Sequence, residues 1–183
     1  MVRTAAAFLA VLAILTGVFC GGRTGPQQPA ARAAFPSVAC STLTEAELTR
    51  LVRALPAFNG ALKAAKWTFS PTEPGEGLAG SLTTLIEHMH VAGVRESLEA
   101  VGSDWDAVRA TLYKVFAASA ALNVAGVPPD RVEQMKQDKT DAGRRMYRGY
   151  VAVKEACSAL PAANLELVKS RHQELQPLGT LGQ

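Results

Sequence analysis

Three histidines, three cysteines and four methionines are the side chains in this chain that could begin metal, haem or redox chemistry. His88 and His90 stand two apart, about 200 degrees around a helix, so on a helix they point away from each other and cannot share one ion. An i, i+4 histidine pair is absent, and so is the C-x-x-C-H needed for covalent haem attachment. A haem or metal could still be held between helices by one histidine and one methionine, with His172 and Met89 or Met146 as candidates. The default reading is that these side chains belong to core and surface, with no cofactor.

Acid–base and nucleophilic catalysis leave even less to follow. Neither a G-x-S-x-G elbow nor a Walker loop occurs. Glu87 beside His88 reads as a solvated face, as do Asp138 and Asp141 near Arg144 and Arg145, with Asp141 and Arg145 spaced for an i, i+4 pair. No residue is assigned a catalytic role, and a hydrolase without a recognisable motif is kept as an alternative. Arg144, Arg145 and Arg148 form the densest basic cluster, with Lys136, Lys139 and Lys154 on the same expected helix. Phosphate or anionic lipid could bind there. The interleaved Glu133, Asp138, Asp141 and Glu155 make a balanced exposed face the more economical reading.

The thiols depend on compartment. Arg3 is the only charge before the apolar residues 5–19, which have the shape of an export leader and are short for a membrane span. Ala31, Arg32 and Ala33 supply a small-x-small cleavage pattern. Export implies a periplasmic or secreted protein, or a lipoprotein if Cys20 carries a lipid, although Phe19 is large for the residue before a lipidated cysteine. Membrane contact is expected only through the leader or such an anchor. Without Cys20, the even pair Cys40 and Cys157 is expected to form a disulfide. It would close a loop of more than a hundred residues, worth about 4 to 5 kcal/mol in the chain-entropy model. The alternative is two unpaired small hydrophobes.

The elements that must position these groups read as helices. The 183 residues, 48% hydrophobic and 19% charged, suit one globular domain after a removable end. Arg3, Arg23 and Arg32 precede the first acid, Glu45, so 16 bases face 16 acids after residue 33, a balance that argues against nucleic acid as partner. Thr44 and Glu47 form a capping box, with Leu43 and Leu48 at the staple positions. Pro56 is expected to kink or restart that helix. Trp67 and Phe69 open a long connection, and Ser81 is a cap for a second helix that Gly93 ends. A short helix over 95–101 follows. Ser103 with Asp106 starts another, which Gly126, Pro128 and Pro129 stop. From Val132 through Met146, Tyr150 and Cys157 to Leu160 the apolar spacing predicts one long helix, the spine of the bundle. Asn164 is the expected cap of a last helix.

Two segments, Leu43 and Thr44 leading through Leu48 and Arg50 to Leu55 and Pro56, and Asn164 to Val168 running on to Leu175, resemble small exported helical proteins of bacteria that carry no assigned activity. The resemblance implies an all-helical exported domain and carries over no site residue. The resulting expectation is an all-α bundle of four main helices plus one or two short ones. Residues 1–33 are the signal peptide and its cleavage region, 34–43 a linker, 44–176 the bundle and 177–183 a flexible tail. Its expected function is that of a non-catalytic envelope module that binds a protein or a small apolar ligand.

Overall fold

A computed structural model describes residues 35–68 and 77–181; the residues expected to form a leader, Cys20 and Phe69 lie outside them. The described residues form seven helices and a 3-10 turn, with no strand among them. In chain order these are α1 (Glu45–Ala64), α2 (Gly77–His88), α3 (Val94–Glu99), α4 (Trp105–Ala125), α5 (Pro129–Gln137), α6 (Asp141–Cys157), α7 (Ala162–Ser170) and the 3-10 turn Gln176–Thr180. The fold is an all-α bundle.

Helix α1 starts where its capping box places it. Thr44 Oγ1 accepts from the Glu47 amide at 3.2 Å, and the Thr44 amide donates to Glu47 Oε2 at 2.8 Å. Two donors that the first turn leaves unpaired are thereby satisfied. Leu43 and Leu48 close the staple, both buried. Leu51, Leu55, Phe58 and Leu62 continue the buried stripe, and the helix runs on through Pro56, which lies on its exposed side. Helix α2 is already under way at Ser81, the residue expected to cap it.

The spine is α4. All residues from Thr111 to Ala121 are buried, as expected of a helix enclosed on every side. Ala117, Ala118, Ala120 and Ala121 bring neighbouring backbones close, and α1, α2, α3, α6 and α7 all pack against it. Its N-cap is Asp104, whose Oδ1 accepts from the Ala107 amide at 3.0 Å; the expected cap, Ser103, is buried instead. Gly126 caps its far end, and α5 leaves at 85° after the two prolines.

The single helix expected beyond those prolines is two. Asp138 Oδ1 accepts from both the amide (2.9 Å) and the hydroxyl (2.7 Å) of Thr140, and Thr140 Oγ1 accepts from the Gly143 amide at 3.0 Å. These short side chains compete for the backbone bonds that a continuous helix would need, ending α5 and starting α6. The apolar spacing runs across the break and conceals it.

Order also extends past both expected boundaries of the bundle. Phe35, Ala39 and Leu43 are buried at four-residue intervals in the turns before α1, and Leu178 and Leu181 are buried after α7. The segments read as linker and tail therefore complete the core. Gly93, with φ 85°, precedes α3 in a left-handed conformation that favours glycine.

Candidate functional site

The elbow between α5 and α6 is where charged side chains from two helices converge with the fewest internal obligations. Helix α5 buries no residue and α6 buries only Gly143. The three-residue link and the cap at Thr140 fold α6 back beside the last turn of α5, leaving a hollow of about 390 Å³. Met135 and Lys136 line it from α5 and Asp138 from the link. Helix α6 contributes Asp141, Arg144, Tyr147 and Arg148, which share one side through spacings of three, four and seven.

Both acids in the hollow are already engaged. The Thr140 hydroxyl, with the Thr140 amide, holds the Asp138 carboxyl below its usual range. The Arg144 guanidinium, 2.6 Å away, does the same for Asp141. Lys136 lies 3.9 Å from Glu133 in a loose pair, and both side chains are more than half exposed. Arg148 makes no ion pair and Tyr147 no hydrogen bond among the described residues. The uncommitted charge of the hollow is therefore positive.

Of the expected anion cluster, the structure brings Arg144 and Arg148 together with Lys136 and turns Arg145 away. The Arg145 side chain is half-buried, and its Nε is enclosed without a partner. The ion pair expected between Asp141 and Arg145 forms instead between Asp141 and Arg144. One helical step of 100° separates residues 144 and 145, enough to send neighbouring arginines to different surroundings. A second hollow of about 430 Å³, lined by Glu45, Ala46, Thr49, Arg50 and Arg53, is bordered by α1 alone, so no second element faces it.

Met89, Met146 and His172 stand on different elements. Met89 is sealed in the core just after α2, Met146 is 41% exposed on α6, and His172 is half-buried in the turn after α7. His88 Nδ1 sits 2.7 Å from the Thr84 carbonyl, and His90 stacks on Trp105 with ring centroids 5.1 Å apart. No group of three or more His, Cys, Asp or Glu converges as a metal set among the described residues. The expected disulfide is not formed. Cys40 and Cys157 are both free and half-buried against the core, packing as small hydrophobes, and burial pushes the Cys157 thiol up to about 11.

Sequence reasoning missed two buried polar clusters. The Lys114 ammonium, 7% exposed on α4, donates to Glu47 Oε1 at 2.7 Å and to the Thr42 carbonyl at 2.9 Å. Glu47 Oε2 is taken by the capping box, so neither oxygen is left for proton transfer. Burial raises the Glu47 carboxyl, but the bonds from Lys114 and Thr44 outweigh it and hold the group below 4.5. Asn164, expected as a cap, is fully buried inside α7; its Oδ1 accepts from the Leu43 amide at 2.8 Å and its Nδ2 donates to the Ser41 carbonyl at 2.9 Å. Pro161 occupies the cap position instead. Both clusters pin the segment before α1.

Gly75, Gly77 and Gly80 have the spacing G-x-G-x-x-G where α2 begins. That spacing binds a dinucleotide only where a strand leads into it, and residues 69–76, which precede α2, lie outside the described residues. No protein-family model, no curated protein and no solved structure matches this chain.

Proposed function

We propose that this chain is a non-catalytic, exported envelope protein that acts as a helical interaction module and engages its partner through the α5–α6 arm. The observation that carries the reading is the contrast within α6. Its 17 residues are strongly one-sided in composition, yet the helix buries only Gly143 and leaves Met146 exposed. Although α6 packs along α4 and α2, the part of its apolar stripe at Met146 stays exposed and is available for another molecule. The bonds of Lys114, Glu47 and Asn164 support the same reading, because those buried polar groups are engaged in holding the fold together. Export rests on the charge and apolar pattern of residues 1–33, with the resemblance to small exported helical proteins in its favour.

A photoreactive side chain placed at Met146, with a second at Arg53 on α1 as control, tests this in a native envelope fraction. Adducts at position 146 and none at position 53 are expected. Equal labelling at both positions, or none at 146, would remove the arm as the binding surface.

A further inference from the structure

We propose that the hollow between α5 and α6 is a binding site for a phosphate ester, with Arg148 and Lys136 as its charged contacts and Tyr147 as a neutral donor. The inference rests on the interaction-module reading and supplies the chemistry of the ligand. It follows from how the hollow's charges are distributed. Two acids and three bases line it, and each acid is already spent inside the arm: Asp138 on Thr140, where it terminates α5, and Asp141 on Arg144. What lines the hollow without a close bond is the exposed Arg148 guanidinium, which feels Asp141 only through its field, the loosely paired Lys136 ammonium and the half-buried Tyr147 phenol. All three donate, and none is tied to another protein group by a close bond.

A guanidinium offers planar paired donors that match two oxygens of a phosphate, and an ammonium on the opposite wall supplies a point charge to a third. A carboxylate ligand would leave one wall unused. The volume of about 390 Å³ exceeds what a bare phosphate fills and leaves room for the esterified group beside Met135. Arg144 contributes positive field while its bond to Asp141 keeps it at the rim. Arg145 plays no part, because it does not line the hollow.

The shared chemistry is a phosphate mono- or diester, free or carried by an anionic lipid headgroup. Glycerol 3-phosphate titrated calorimetrically into the full-length mature protein probes the free form, and phosphatidylglycerol vesicles against phosphatidylcholine vesicles probe the headgroup. The expected result is saturable glycerol 3-phosphate binding that weakens with salt and falls about tenfold or more in Arg148→Gln and Lys136→Gln, but not in Arg53→Gln. Vesicle binding that follows the same two substitutions identifies the headgroup as a source, and its absence confines the site to soluble esters. Failure to bind glycerol 3-phosphate and both vesicles, or binding indifferent to Arg148 and Lys136, overturns the proposal. Circular dichroism of each variant checks that the bundle is intact. Photolabelling at position 146 without phosphate binding would sink only the ligand assignment. Phosphate binding without labelling would sink the wider reading and leave the site.

Discussion

The two sides of the molecule treat charge in opposite ways. Around α1, α4 and α7 the buried polar groups are few and two sets of them are bonded across the core, Lys114 to Glu47 and Thr42 and Asn164 to Ser41 and Leu43, while the Asn123 amide nitrogen on α4 is enclosed without a partner. In the α5–α6 arm, charges are many and exposed, and the bonds that exist lie within the arm itself. Burial makes an unpaired charge or amide costly, and the Lys114 and Asn164 sets meet that cost with bonds that reach across the core. Arg145 apart, the charges of the arm lie exposed and meet no such condition. Its bases can remain unspent, which is what a binding surface requires.

The contrast is sharpest at Phe58, fully buried and tilted against Trp105 with ring centroids 6.2 Å apart. Phe58→Ala is expected to cost about 3 to 5 kcal/mol of unfolding free energy by urea titration, from lost burial and the cavity left behind. Met146→Ser on the arm should stay within about 0.5 kcal/mol of the parent. Similar losses in the two variants would erase the distinction between core and arm.

Next in size is Asn164→Ala, which strands the buried Leu43 amide and breaks the tie to the carbonyl of the exposed Ser41. A loss of about 2 to 4 kcal/mol is expected, measured as a lowered urea midpoint. Proteolysis in the segment before α1 should rise with it.

Gly143→Ala strikes the arm's own foundation. A Cβ there would collide with the Asp138 side chain, and Asp138 cannot swing aside without releasing Thr140. The expected cost is about 1 to 3 kcal/mol. Near-ultraviolet signals of Trp105 should hold while phosphate-ester binding at the elbow falls; unchanged binding would detach the elbow geometry from the site.

The smallest effect is one of pH. The Glu47 carboxyl is held below 4.5 in the folded chain, so folding gains from its ionised form above that value and loses this gain as pH falls through the lowered folded value. The stability difference between the parent and Glu47→Gln should therefore be largest near neutrality and shrink below pH 4.5. A difference that grows with acidity would contradict the bond to Lys114.

What could be read in advance follows the range of the interactions. The capping box of Thr44 and Glu47 spans three residues, and the stop at Gly126, Pro128 and Pro129 is a property of the backbone itself, so both are visible as spacing. The grouping of Arg144 with Arg148 is visible for the same reason. Asn164 is misread because its partners lie 121 and 123 residues away, and nothing local distinguishes a buried clamp from a cap. The break at 138–140 is hidden by apolar spacing that continues through it, though an aspartate two residues before a threonine and a glycine three after is itself a helix-start signal. The burial of Phe35 and Leu178 depends on surfaces assembled from α1, α4 and α7, which no short window contains.

Amide hydrogen exchange of the free protein weighs core against arm directly. Residues 112–116 of α4 should exchange only through global unfolding, while residues 132–137 of α5 should open locally at a free energy lower by about 2 kcal/mol or more. Equal protection in the two stretches would show that the arm is as firmly built into the fold as its spine, and would contradict the division of the molecule into a tightly packed core and a loosely held arm.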